Sequence, residues 1–574
     1  MFVRSWLFAL LLLAVSGPPA YAQDAPPDIV VILADDMGFS DIGAYGGEIP
    51  TPALDRLAAD GVRFSQFYNA GRCVPTRAAL LTGLYPHQAG LGLMEQDKGE
   101  PAYRGDLGED VVTIADVLRT SGYGTYMAGK WHVTSQIGLW VGDTTRTAKR
   151  HWPLGRGFDR FYGTIFGAGS YYDPVTLVED EQPLPTPEDG YYYTDAISAR
   201  AAGYIAEHVR TLPDKPFFLY VAYTAPHWPL HAPEADVARH RDRYAIGWDS
   251  LRHARHARLD STNLFSTARP ALDAGSVALP PRDPAVPAWA DLGADEQRWY
   301  QEAMAVYAAQ IDRMDRGIGR IVQALEDAGR LDNTLLLFLS DNGATQIRLP
   351  RGWDPSLLFL PETTPDGAPV AIGNRLDLMP GPATTYQSYE RGWANASNTP
   401  FRRYKQWVHE GGIATPLIAH WPQGIRTSGV SHAVGHVIDV MPTVLEAAGV
   451  AYPEAFEGRP VTSAAGVSLL PALNGRPLYR DMLFWEHTGN RAVRAGDWKL
   501  VSAYDEEADR PGPWELYNLA IDRTELNNLV AAYPERVAAL SAAYEAWAER
   551  IGVLPWRTVR NLPDRSSGIR RPSR

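Results

Sequence analysis

Five short polar clusters carry the residue types that catalysis and metal binding need: Asp35-Asp36, Cys73 with Arg77, Lys130 with His132, His227, and Asp341-Asn342. Four of them follow apolar runs that read as strands, namely Asp28 to Ala34, Tyr123 to Ala128, Phe217 to Tyr223 and Leu335 to Ser340. In an open parallel sheet, ligands bind beyond the carboxyl ends of the strands. One Asp or Asn after a strand is ordinary turn chemistry; four polar strand ends together predict a site. Asp35, Asp36, Asp341 and Asn342 offer only oxygen, and three carboxylates suit a hard divalent cation better than zinc. Ca²⁺ fits best, with Mg²⁺ or Mn²⁺ as alternatives. Three carboxylates at one sheet edge without a cation would repel and raise at least one pKa.

Cys73 is the single cysteine of the chain, so no internal disulfide can form. A lone cysteine reads as a small buried hydrophobe unless its neighbours give it a task. Here the run Arg72-Cys73-Val74-Pro75-Thr76-Arg77, followed by Ala78-Ala79-Leu80-Leu81, predicts a helix that starts at or just after Cys73. A helix amino end favours anions through its free N–H groups and dipole. Arg77, one turn inward, carries a planar fork suited to a tetrahedral oxyanion. His132 and His227 have the pKa range for proton transfer. His231 is the rival of His227, and His87, just beyond the Cys73 helix, reads as a packing residue.

The elements that must position these groups form a mainly parallel α/β sheet flanked by helices, because the apolar runs are far apart and separated by helix-like segments. Ile311, Met314, Ile318, Ile321, Val322 and Leu325 recur at helical spacing and end at Gly329 and the Asp332-Asn333 turn. From about residue 451 the pattern changes to short strands at Met482–Trp485, Trp498–Ser502 and Trp514–Tyr517, then a helix from about Pro534 to Ile551. This predicts a large α/β domain over residues 23–450, a smaller α+β domain over 451–555, and a partly disordered basic tail over 556–574. Two irregular stretches interrupt the large domain: the His/Arg-rich piece Ala238–Arg258 and the piece Thr345–Thr399. Loops of that length are often binding loops. Trp353, Tyr386, Tyr389 and Trp393 of the second could stack on an aryl or sugar ring, or pack on the domain below.

With 574 residues, 45% of them hydrophobic, the chain can bury a large core, and its formal charge of -13 argues against holding nucleic acid by phosphate neutralisation. Arg4, the apolar run Trp6–Val15 and the small-x-small end Ala20-Tyr21-Ala22 read as an export signal over residues 1–22, cut after Ala22. The run is shorter than a membrane span of about 20 residues. The expectation is an exported protein, periplasmic or secreted, with no membrane partner after cleavage.

Cys73-Val74-Pro75-Thr76-Arg77 matches the C-x-P-x-R signature of the type I sulfatases, and Gly129-Lys130-Trp131-His132 resembles their second signature. The likeness continues through Asp35-Asp36, Asp341-Asn342-Gly343, Glu410-Gly411-Gly412-Ile413 and Glu515-Leu516-Tyr517-Asn518-Leu519. The run Thr399–Lys405 resembles the bacterial arylsulfatases. The resemblance implies an alkaline phosphatase-like fold and conversion of Cys73 to formylglycine by a separate maturation enzyme that meets the chain transiently. The cation ligands would be Asp35, Asp36, Asp341, Asn342 and residue 73 itself, and the hydrated aldehyde the nucleophile. Asp341 would accept a proton, His227 would protonate the leaving alcohol, and Lys130 and Lys405 would balance charge. His132 would help the second hydroxyl expel sulfate, and Arg77 would hold the hydrate and Lys130. Arg402, Arg403 and His409 compete with Lys405 for its role.

The implied reaction is hydrolysis of a sulfate monoester, on a small molecule or a glycan, with aryl sulfates accepted. Related formylglycine enzymes that cleave phosphodiesters or phosphonates are the first alternative, since both ester types carry one negative charge. A non-catalytic anion or sulfated-glycan binding protein is the second. The filled catalytic positions count against it.

Overall fold

The computed structural model describes residues 25–141, 148–185, 187–265, 270–273, 286–352 and 362–566. The expected export signal, Trp353 and the end of the tail lie outside these ranges.

Runs rich in Val, Ile, Leu and Phe become the strands of one sheet: β1 (Asp28–Ala34), β2 (Val62–Tyr68), β3 (Gly124–Gly129), β4 (Arg160–Thr164), β5 (Leu177–Glu179), β6 (Gln182–Pro183), β7 (Phe217–Ala222), β8 (Thr334–Ser340), β9 (Ala414–His420) and β10 (Gly429–His436). Among the described residues the strand order is β10-β2-β9-β8-β1-β7-β3-β4-β5-β6. The centre, β8-β1-β7-β3-β4, is parallel. β9 runs antiparallel to both β8 and β2, and β5 and β6 fold back antiparallel at the far edge, so the sheet as a whole is mixed. Every residue of β1, β7 and β8 is buried, as expected for strands covered on both faces. Because β8, β1, β7 and β3 point the same way, their carboxyl ends share one edge.

Helices α1 (Pro52–Asp60), α2 (Cys73–Thr82), α3 (Tyr193–Thr211), α4 (Gly247–Thr262) and α5 (Ala294–Asp327) belong to this domain. The stripe Ile311, Met314, Ile318, Ile321, Val322 and Leu325 on α5 is buried, each side chain contributing on the order of 1.5–3 kcal/mol. No described helix is long and apolar enough to cross a membrane.

Both stretches read as irregular hold structure. Residues 241–246 form a 3-10 turn that runs into α4, and Arg255 of α4 is fully buried on Glu48 and Asp41. Charge pairing, invisible to periodicity, is what turns a His/Arg-rich helix inward. The second stretch contains a helix at Glu390–Ser397, and Tyr386, Tyr389 and Trp393 are 0%, 1% and 0% exposed. These three rings pack on the domain and present no stacking face.

The C-terminal part is a four-stranded antiparallel meander, β11 (Leu483–His487), β12 (Asn490–Ala495), β13 (Trp498–Ser502) and β14 (Glu515–Asn518), with α6 (Pro534–Ile551) against it. Trp547 of α6 stacks on Phe484 at 5.0 Å. The segment expected to begin the tail forms another helix, α7 (Trp556–Asn561). A buried ionic cluster joins this part to the large domain. Lys499 Nζ lies 2.9 Å from Glu410 Oε1 and 2.8 Å from Glu525 Oε1, Arg523 reaches Glu410 Oε2 at 3.1 Å, and the Glu410 amide donates to Glu525.

Candidate active site

The shared strand edge gathers the chemistry. Asp35 Oδ2 accepts from Lys130 Nζ at 2.5 Å and Arg77 Nη2 at 3.1 Å. The same Arg77 nitrogen donates to Asp341 Oδ2 at 3.1 Å, while Nη1 donates to the Lys130 carbonyl at 3.0 Å. Arg77 therefore ties together the loops after β1, β8 and β3. Asp36, in left-handed backbone at φ +64°, accepts on Oδ1 from Lys405 Nζ at 2.5 Å and Asn342 Nδ2 at 2.6 Å, and its amide donates to Asp341 Oδ1 at 3.1 Å. His227 Nε2 stands 3.4 Å from Asp36 Oδ2. Its Nδ1 lies 2.5 Å from the Trp228 carbonyl, an acceptor that requires the proton on Nδ1 and turns Nε2 to the site.

Cys73 is the first residue of α2, 2% exposed, and the fields of Arg77, Asp341 and Lys405 reach it. Arg72 ahead of it gives no side-chain cap, so the helix amino end is left to its own N–H groups. Ala70 N bonds Thr76 Oγ1 and Gly71 N bonds Asn69 Oδ1, which fixes the approach to the helix.

The three carboxylates are not equivalent. Burial pushes Asp341 well above the usual carboxylate range, and Asp35 adds to the push against Arg77. Burial also opposes ionisation of Asp35 and Asp36, but Lys130, His227 and Arg77 around the first, and Lys405 and His227 around the second, hold both below their ordinary value. Burial brings His132 and His227 down to about 4 each. Both imidazoles are thus neutral near pH 7 until a new negative charge enters.

Asp35 Oδ1, Asp36 Oδ2 and Asn342 Oδ1 are buried with no hydrogen-bond partner among the described residues. Orphaned buried carboxylate oxygens are costly. Asp35, Asp36 and His227 also bring ligand atoms within 4.8 Å of one another. The three unpartnered oxygens of Asp35, Asp36 and Asn342 fit a hard divalent cation; the imidazole nitrogen of His227 is not a ligand that such a cation prefers. Asp341 accepts one hydrogen bond on each oxygen, from the Asp36 amide and from Arg77, which leaves a lone pair on each for a cation, and Cys73 lies outside that close triad.

The rivals point elsewhere. His231 Nε2 lies 2.6 Å from the Thr385 carbonyl. Arg402 bonds Glu515 and Tyr517, and His409 faces Glu515 at 3.6 Å, so both serve the junction with the C-terminal part. Arg403 lies over the Trp407 ring. His87 pairs with Glu486 at 2.9 Å. Three contributors carry no signal in the sequence. Glu95 Oε2 lies 3.6 Å from His132 Nε2, Tyr171 OH bonds the Thr224 and His227 carbonyls, and Gly167 packs against the His132 ring, where a Cβ would collide with Cε1. All three sit in loops without periodicity.

Known proteins resemble the chain over most of its length. The family model described as Sulfatase matches residues 27–450, and that for the C-terminal region of N-sulphoglucosamine sulphohydrolase matches residues 402–544. An uncharacterized sulfatase of Schizosaccharomyces pombe is 33% identical over 93% of this chain and 95% of its own length. The arylsulfatase of Klebsiella aerogenes is 33% identical over 79% of this chain and 93% of its own. The crystal structure of Ps i-CgsB in complex with k-i-k-neocarrahexaose shares the fold, with a TM-score of 0.62 at 23% identity over 95% of this chain and 99% of that one. The chain belongs to the type I sulfatases of the alkaline phosphatase superfamily, hydrolases of sulfuric esters.

Proposed function

We propose that this protein is an exported arylsulfatase-type enzyme that converts an aryl sulfate and water to a phenol and inorganic sulfate. The active form would carry formylglycine at position 73, made from Cys73 by a maturation enzyme, and one divalent cation, Ca²⁺ by preference, held by Asp35, Asp36, Asp341 and Asn342. When present, the hydrated aldehyde supplies the attacking hydroxyl and the cation polarises a sulfate oxygen.

The chain's own residues supply the rest. Asp341 would take a proton from a group at residue 73 when ionised; burial and Asp35 raise its proton affinity, and Arg77 opposes them. Lys130 and Lys405 offset negative charge on the transferring group, with Asp35 and Asp36 holding their ammonium groups in place. His227, locked by the Trp228 carbonyl with Nε2 turned to the site, would protonate the leaving oxygen, the negative charge of a bound sulfate favouring its protonated form. His132 accepts a proton in the release of sulfate, with Glu95 beside it to stabilise the imidazolium. Arg77 keeps Asp35, Asp341 and the Lys130 backbone in register.

The observation that carries this reading is the convergence of three partnerless buried oxygens with Arg77, Lys130 and Lys405 beside Cys73. The test is the mass of the peptide spanning residue 73 in protein co-produced with the maturation enzyme, with hydrolysis of an aryl sulfate by the same sample. Loss of about 18 Da, the change from thiol to aldehyde, together with sulfate release is expected. A thiol in active protein would overturn the mechanism, and cleavage of a phosphodiester in place of the sulfate would overturn the substrate class.

A further inference from the structure

Arg72 immediately precedes Cys73 and sits in extended backbone, φ -155° and ψ 153°, at the head of α2. Its side chain is half-buried and its Nε is shut off from solvent without an acceptor. Among the described residues it forms no ion pair or hydrogen bond through its side chain, yet its field reaches Glu95, Lys405 and His487.

The neighbouring carboxylates have other partners. Asp35 pairs with Arg77 and Lys130, Asp341 with Arg77 and Asp36 with Lys405, and among the described residues none of the three lies within ion-pair distance of Arg72. Glu95, the carboxylate within electrostatic reach of Arg72, is turned to His132 at 3.6 Å. His487, which β11 brings up from the C-terminal part, is held neutral by burial and by Arg72 itself. Arg72 is thus a fourth cation at the nucleophile with no anion of its own. A half-desolvated guanidinium beside other cations is unfavourable unless an anion arrives, and its planar fork matches a carboxylate or sulfate in bidentate geometry.

We infer that Arg72 is a specificity-determining residue that binds a second anionic group, carboxylate or sulfate, on the molecule whose sulfate ester faces Cys73. The inference rests on the sulfatase reading of the site and narrows its substrate class to sulfate esters with an additional negative charge.

The test compares matured wild type with Arg72→Ala and Arg72→Lys on two substrate pairs. One pair is a carboxyphenyl sulfate and its methyl ester. The other is glucosamine 6-sulfate with an N-sulfate or an N-acetyl group, so the pair that responds tells an aryl from a sugar source. Turnover of the methyl ester or the N-acetyl sugar by wild type tests the sulfatase reading separately. For Arg72→Ala, kcat/KM on the doubly anionic member should fall roughly tenfold to a hundredfold, mostly through KM, and that on its singly charged partner less than threefold. Arg72→Lys should keep part of the preference, since it keeps the charge and loses the fork. Equal losses on both members of each pair would overturn the inference by assigning Arg72 to the scissile sulfate. An unchanged preference would overturn it as well.

Discussion

Replacing Lys499 with Met isolates the energetics of the ionic cluster that seats the C-terminal part behind the active site. Lys499 Nζ, wholly buried, bridges Glu410 and Glu525 at 2.9 and 2.8 Å. Removing the shared cation leaves Glu410 with Arg523 and the Tyr68 hydroxyl, but leaves Glu525 without a cation at ion-pair distance among the described residues. Breaking a buried pair from one side costs about 3–5 kcal/mol. Burial already raises Glu525, and Lys499 is the main force opposing it, so in the variant Glu525 will hold its proton to higher pH. An acid whose folded pKa exceeds its unfolded value loses stability as pH rises between the two. The deficit of Lys499→Met should therefore be smaller at pH 5 than at pH 8. Urea unfolding followed by tryptophan fluorescence at both pH values measures it, and adding Glu525→Gln should recover part of the loss by removing the stranded charge. A deficit below about 1 kcal/mol at pH 8, or no gain from the second substitution, would refute the view that this cluster joins the two parts.

Asp315 accepts the amides of Ala53 and Leu54 at the head of α1, and burial holds its pKa up at about 7. Its folded value exceeds its unfolded one, so this stability is full below about pH 4 and is lost as pH rises through 7; Asp315→Asn should flatten the profile by about 2–3 kcal/mol between pH 5 and pH 8, read by denaturant titration. Gly167→Ala drives a Cβ into His132 Cε1 and should cut kcat at least tenfold while changing the melting temperature little; a fully active variant would refute close packing there. Chelation of divalent cations should lower the melting temperature of wild type and leave Asp36→Asn unmoved, because a ligand at a hundred times its Kd contributes about 2.7 kcal/mol; equal shifts in both proteins would place the responsive cation elsewhere.

The strand-end residues were legible because a parallel sheet turns sequence into geometry: a buried apolar run fixes a direction, and the residues at its carboxyl end fall on the common edge. Asp35, Lys130, His227 and Asp341 are such residues, and Pro75 with the Ala/Leu run did the same for Cys73. Strand β12, Asn490–Ala495, was not legible, because Arg491 and Arg494 interrupt its apolar residues; in the fold Arg491 lies over Trp514 at 4.0 Å and Arg494 bonds Tyr68. Arg255 failed for the same reason, since its partners Glu48 and Asp41 are more than two hundred positions away in the chain.

That pattern bears on how the site is built. What sequence reveals is the set of groups at the reacting centre; what it hides is the pairing of charges that holds their loops. The Gly343 amide bonds the Gly412 carbonyl at 3.0 Å, and a side chain at Gly343 would collide with the Gly411 carbonyl. The turn after Asp341-Asn342 therefore rests on the Glu410–Gly412 loop, and that loop is anchored by Lys499, Arg523 and Glu525 from the C-terminal part. Lys405 joins the same support through its amide on the Ala344 carbonyl. The C-terminal cluster thus supports the turn that carries Asn342 and the segment that carries Lys405 through two hydrogen bonds and a close backbone contact, and a change in that cluster is expected to reach both.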